Sequence, residues 1–191
     1  MRPLDEIRKD IDRIDGQIRE LLMQRLDLSE QVAAAKIDDK NYVIYRADRE
    51  KAMLARLGQG IPEDRLADYL AVVRKVTETS RMYQYGLLFD NVPELSQKLL
   101  EDVQLPENAG AVRLRLTRDN VPNAMSAILS MIGDAGYDMD RMKLLSYSGD
   151  RSQVSFELTI LGDLHEKRMQ QLMLAISMES TDFQLLEVLP A

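Results

Sequence analysis

The chain of 191 residues has no cysteine and a single histidine, His165. The first absence excludes disulfides and thiolate metal sites, and the second rules against a histidine-rich metal centre. No stretch approaches the roughly 18 apolar residues of a membrane span. The opening residues MRPLDEIRKD carry no apolar segment of the kind that directs export. No membrane partner and a cytoplasmic location are therefore expected. Positive charge is also in the minority, with 25 Lys and Arg against 32 Asp and Glu and a net charge of −7. Phosphate binding needs a broad basic surface, so no nucleic-acid partner is expected. Cations that cluster in such an acidic chain are the more informative.

The length allows one large domain or two small ones, and the hydrophobic period changes once along it. From Leu4 the apolar residues Ile7, Ile11, Ile14, Ile18, Leu21, Leu28 and Val32 recur at helical spacing. This spacing predicts one inward stripe on one long helix over 4–37, about 50 Å long at 1.5 Å per residue. A second helix is predicted over 46–57, ended by Gly58-Gln59-Gly60, and a third from Pro62, a favoured first-turn residue, to about Leu88. The first helix is too long for its neighbours to cover, which predicts a dimer in which two copies of it pack together. Residues 91–109, with Pro93 and Pro106, read as a linker holding a short helix.

After the linker the period becomes two. Val112, Leu114 and Leu116 alternate with Arg113 and Arg115, a strand with one buried face. A helix is predicted to open at Asp119-Asn120 with Pro122 and to stop at Gly136. A hairpin over 139–161, a helix over 164–178 and a strand over 183–189 complete the order β-α-β-β-α-β, the ferredoxin-like arrangement. The expected architecture is thus a helical domain over 1–90 and an α+β domain over 110–191.

Several polar residues fall on faces that the pattern marks as buried. Arg25 interrupts the stripe of the first helix, and Lys36 returns to within about 20° of the same face. Ser80 and Gln84, one turn apart, continue the stripe Leu66, Leu70, Val73 and Thr77 of the third helix. The second helix presents Arg46, Arg49 and Glu50 in its first turn, where arginine opposes the helix dipole. Burying unpaired positive charge costs several kcal/mol, so either acidic side chains answer it internally or an anionic ligand does. Taken singly, each of these residues also fits a solvated face. Arg8 lies about 25 Å along the axis from Arg25 and roughly 100° off its face, so it cannot join Arg25 in one chain, but it could reach the partner's site in an antiparallel dimer.

Arg8, Arg25, Val32-Ala33-x-x-Lys36, Tyr45-Arg46-Ala47-Asp48-Arg49-Glu50 and Ser80-x-x-x-Gln84 resemble the all-helical class of chorismate mutases, including those fused to prephenate dehydratase. The resemblance covers about residues 4–88. It implies a domain-swapped homodimer that converts chorismate to prephenate in aromatic amino acid biosynthesis, with no cofactor and no metal. It further implies that Arg25 and Arg8 of the partner subunit hold the two substrate carboxylates, with Ser80 supporting one of them. Lys36 and Gln84 would contact the ether oxygen and Glu50 the ring hydroxyl, while Arg49 lines the pocket. Arg46 stands where several family members have aspartate, in a contact made largely through the backbone.

The second half is similar to an ACT domain, an amino-acid-binding module. That resemblance implies an aromatic amino acid effector at the first strand-to-helix loop, residues Asn120, Pro122, Asn123, Ala124 and Met125. Pro122-Asn123 stands where the family usually has Pro-Gly, and no Glu-Ser-Arg-Pro-like segment is present. A module used for dimerisation alone stays open beside it, as does further pairing of dimers through these sheets. Two other functions remain alternatives: an isochorismate-pyruvate lyase on the same scaffold, and a non-catalytic protein that regulates a shikimate-pathway enzyme.

Overall fold

The computed structural model describes residues 2–121 and 124–191. By its internal contacts the chain divides into two units, residues 1–41 with 47–84, and residues 42–46 with 85–191.

The first unit is helical. Helix α1 spans Leu4–Asp38, with Pro3 at its N-cap, Asp5 and Glu6 in its first turn and Lys36 in its last. Charges of these signs at these ends complement the helix dipole. Its C-terminus closes as a Schellman motif: Asn41 N–H donates to the Lys36 carbonyl at 2.9 Å and Lys40 N–H to that of Ile37 at 3.0 Å. Lys40 occupies the left-handed position, φ 52°, that usually takes glycine. Helix α2 spans Ala47–Leu57, so Arg46 precedes it rather than opening it. Helix α3 runs over Glu63–Asn91, beginning just after Pro62. Its first 22 residues, to Gln84, lie in the first unit and the rest in the second.

The apolar stripe predicted to face inward on α1 does not do so within one chain. Leu21 and Leu28 are 64% and 60% exposed, and Leu4, Ile7, Ile11, Ile14, Ile18 and Val32 are exposed as well. The buried residues of α1 are Ser29 and Ala33. Periodicity had identified the shared face correctly, but no element of the same unit is available to cover its length.

The second unit contains helix α4 (Pro93–Leu100), strand β1 (Ala109–Asp119), helix α5 (Ser126–Asp134), strands β2 (Met139–Tyr147) and β3 (Gln153–Leu161), helix α6 (Lys167–Met178) and strand β4 (Asp182–Pro190). The four strands form one antiparallel sheet in the order β2-β3-β1-β4. Val112, Leu114 and Leu116 of the central β1, with Val154, Phe156, Leu158 and Ile160 of β3, are buried along with Ile128 and Ile132 of α5 and Leu172, Met173 and Ile176 of α6. β1 and β3 hide alternate residues, as the period of two requires, whereas β2 at the sheet edge is exposed along nearly its whole length.

Two predicted helix starts were too early, for local reasons. Asn120 does not cap α5: its N–H donates to the Ser152 carbonyl at 2.7 Å and its side chain to that of Arg151 at 2.9 Å, which prolongs the link to the hairpin. Helix α5 begins only at Ser126, and Gly136, at φ 77°, follows its end. Helix α6 begins at Lys167 because Asp163 first forms a turn, accepting from the His165 N–H at 2.8 Å and pairing with its ring Nδ1 at 2.7 Å. Among the described residues no helix is long and apolar enough to cross a membrane.

Candidate functional site

In the first unit α1 meets α3 through polar rather than apolar residues. Arg25, Ser29 and Ala33 recur on α1 every four positions and so share one narrow strip, which holds both buried residues of the helix. The Arg25 guanidinium donates from Nη1 to the Val76 carbonyl at 3.2 Å and to Ser80 Oγ. Ser80 is buried and donates in turn to the Val76 carbonyl at 3.0 Å. Ser29 Oγ, one turn beyond Arg25, donates to the Arg25 carbonyl at 2.9 Å. Partial burial holds the Arg25 pKa below its ordinary value, although a guanidinium so placed stays charged. Its two acceptors are neutral, and among the described residues it makes no ion pair. The single chain answers this cation with a carbonyl and a hydroxyl alone.

Gln84, also buried, lies one turn past Ser80 and donates from Nε2 to the Ser80 carbonyl at 3.2 Å. Glu50, near the start of α2, is reached from α3 by Arg81, whose Nη1 donates to Glu50 Oε1. This ion pair is largely enclosed, with side-chain exposures of 6% for Arg81 and 26% for Glu50. Burial strengthens such a pair, because less water screens it.

Of the residues selected from the sequence, Arg25, Ser80 and Gln84 are thus joined in one hydrogen-bonded row, and Glu50 is tied to it through Arg81, the neighbour of Ser80. Lys36 is half-buried in the last turn of α1, and Arg49 is exposed on α2. Arg8 is not with the others: it is exposed, 3.5 Å from Asp5 on its own helix. Arg46 ends the short segment 42–46 that groups with the second unit. Arg81 was missed from the sequence. It lies four residues after Thr77 on the stripe already recognised, so the signal used for Arg25, a cation in a buried row, was present there too.

The row offers guanidinium, hydroxyl and carboxamide groups, with one carboxylate matched to one arginine, and leaves Arg25 without a negative counterpart. Groups of this kind can receive an anion such as a carboxylate, which guanidinium binds in a bidentate fork. Among the described residues no cluster of three or more histidine, cysteine or acidic side chains could hold a metal.

Residues 7–85 match the family described as chorismate mutase type II. The eight site residues selected in this half, from Arg8 to Gln84, lie inside the matched span. No curated protein matches the chain. Among solved structures, GqqA, described as a novel type of quorum quenching acylase, is 23% identical with a TM-score of 0.43 over 46% of each chain. The C-terminal domain of the MgtC protein from Mycobacterium tuberculosis is 12% identical with a TM-score of 0.32, over 42% of this chain and 89% of its own. The chain therefore spans under half the length of GqqA.

In the second unit, Pro122 and Asn123 of the expected effector loop lie outside the described residues. Asn120 is engaged with Arg151 and Ser152, Ala124 N–H donates to the Val121 carbonyl at 3.0 Å, and Met125 is the half-buried N-cap of α5. A cavity of about 380 Å³ in this unit, lined by Leu95, Lys98, Leu174, Met178, Phe183 and Leu185 among others, includes none of these loop residues.

Proposed function

We propose that the protein is a chorismate mutase, an isomerase that converts chorismate to prephenate, and that it works as a homodimer. The observation that carries this reading is Arg25: a half-buried cation inside the span 7–85 that matches the chorismate mutase type II family, held by Ser80 and the Val76 carbonyl and by no carboxylate. A dicarboxylate substrate supplies the missing counter-charge.

The reaction is a Claisen rearrangement, in which one carbon–oxygen bond breaks as one carbon–carbon bond forms. It needs no nucleophile, no proton transfer and no cofactor. Catalysis consists of folding a flexible dianion into its reactive conformer and stabilising charge that grows on the ether oxygen. Arg25 grips one carboxylate, steadied by Ser80, and Arg8 of the partner subunit the other. Lys36 and Gln84 donate to the ether oxygen, and Glu50 accepts from the ring hydroxyl. Arg81 holds Glu50 in place for that task, and Arg46 and Arg49 border the site. The exposed stripe from Leu4 to Val32 supports the dimer, since an apolar face of this length on a soluble domain calls for a partner helix.

For the second unit we propose a ferredoxin-like, ACT-type module. The element order β-α-β-β-α-β and the sheet order β2-β3-β1-β4 support it. Its proposed ligand is an aromatic amino acid that regulates the mutase, with dimerisation alone as the competing role; binding of phenylalanine or tyrosine by calorimetry separates the two.

Incubating the purified protein with chorismate, then with isochorismate, tests the reaction. Formation of prephenate supports the mutase. Turnover of isochorismate alone would identify the lyase, and turnover of neither would leave a non-catalytic regulator.

A further inference from the structure

We propose that the cavity between α4, α6 and β4 binds a small zwitterion with an apolar body, the chemistry of a free apolar amino acid. The inference rests on the reading of this unit as a module with an amino-acid ligand, and it moves the site away from the loop at 120–125. The mutase reading is not needed.

The cavity measures about 380 Å³, inside the range of about 300–1,000 Å³ that small-molecule sites occupy. Every residue lining it belongs to the second unit. Helix α4 supplies Leu95 and Leu99, α6 supplies Leu174 and Met178, and β4 supplies Phe183 and Leu185. Leu174 is buried and the other five are half-buried, so the three elements meet without closing on one another.

Two charges stand within this apolar wall. At 100° per residue, positions 95, 98, 99 and 102 fall within an arc of about 100°, and Glu101, with φ −54° and ψ −42°, carries helical geometry past the end of α4. Lys98 and Asp102 therefore share the side of the helix that bears Leu95 and Leu99, and both line the cavity. Both are exposed and so lie at its mouth. Their i,i+4 spacing would let them pair with each other, yet among the described residues neither makes an ion pair. Asp102 also follows the C-terminus of α4, the negative end of the helix dipole, where a carboxylate destabilises. Helix stability alone does not account for it.

Two further polar groups of the lining complete the pattern. Ser177 Oγ donates its proton to the Leu174 carbonyl at 2.7 Å, so toward a ligand it can only accept. Gln184 Oε1 accepts from Arg115 Nη2 at 2.9 Å, and its amide N–H groups remain as donors. A ligand ammonium is thus matched by Asp102 and Ser177, and a ligand carboxylate by Lys98 and Gln184. An apolar side chain fills the space among the leucines, Met178 and Phe183. A monocarboxylate or a simple amine with the same body would leave one of the two charges unanswered, which is why the lining favours a zwitterion.

Calorimetry of the whole protein with phenylalanine and with leucine tests the site. Two probes accompany them: 3-phenylpropionate, which lacks the ammonium, and phenethylamine, which lacks the carboxylate. The expected result is binding of at least one of the two amino acids with a Kd of about 1 mM or tighter, and binding of each probe about tenfold weaker or less, because bonds to charged groups are the strong ones. Lys98→Gln and Asp102→Asn should each weaken the amino acid about tenfold and leave the urea midpoint unchanged, as both side chains are exposed. Asn120→Ala, in the loop, should leave the affinity unchanged. Unaltered affinity in Lys98→Gln and Asp102→Asn would overturn this site whatever Asn120→Ala does, while the amino-acid reading of the unit would stand. Probes that bind as well as the amino acids would overturn the zwitterion. If the unaltered protein binds neither amino acid at about ten times that Kd, the site and the amino-acid reading both fail.

Discussion

The helical unit and the sheet unit place their apolar residues in opposite ways. In the sheet unit Leu114, Leu116, Leu158 and Ile160 are wholly buried between strands and helices of one chain. In the helical unit the longest apolar stripe is exposed, and its buried centre is made of Ala33 and the polar Ser29, Ser80, Arg81 and Gln84. The sheet unit therefore completes a core by itself, at about 25 cal/mol for each Å² of apolar surface removed from water. The helical unit has an apolar face without a cover and a polar centre without its counter-ion. Both deficits have the same proposed remedy, a second chain that covers the stripe and brings Arg8 to a site that the substrate then fills.

Substitutions can break this contrast at its strongest point first. Ile18→Asp with Leu21→Asp would place two carboxylates in the proposed helix-to-helix contact, at a cost of several kcal/mol. Sedimentation should show monomers, and chorismate turnover should vanish, while the sheet unit retains its β signal in circular dichroism. Next in size is Lys36→Ala. Loss of one charged donor to the ether oxygen should lower kcat by roughly 10² to 10³, with dimer mass and helical signal unchanged; near-normal activity in the pure variant would remove the assignment. In the sheet unit Leu158→Ala should cost about 2–5 kcal/mol of unfolding free energy. Its effect should be visible in urea denaturation whatever the state of association, because that core belongs to one chain.

The smallest effect belongs to the end of α1. Lys40 holds a left-handed conformation in the Schellman motif that closes the helix just after Lys36. Lys40→Gly should stabilise by about 0.5–1 kcal/mol, read as a rise in urea midpoint, with turnover unaffected.

The elements were largely legible in the sequence because each follows a period. The stripe from Leu4 gave α1 nearly to its last residue, and the alternation of Val112, Leu114 and Leu116 gave β1. Periodicity states which residues share a face; it does not state what lies opposite, which is why the exposure of that stripe emerged only with the structure. The helix starts failed where a side chain had a stronger local use, as with Asn120 on the hairpin and Asp163 in its turn. For the site, Arg25, Ser80 and Gln84 were found as polar residues in apolar rows. The same reasoning applies to Arg81, which could have been noticed in that way. Its partner Glu50 is 31 positions away in sequence, and nothing local links such a pair.

The most direct test of the two-chain site is complementation between Arg8→Ala and Arg25→Ala. Each variant alone should be nearly inactive, since both sites of its dimer lack one carboxylate-binding arginine. When the two are unfolded together and refolded at equal concentration, about half of the dimers are mixed, and each mixed dimer has one site with both arginines. Turnover of chorismate should then recover to about a quarter of that of the unaltered protein. Recovery to that level would establish a shared site, and a mixture no more active than its parents would contradict it.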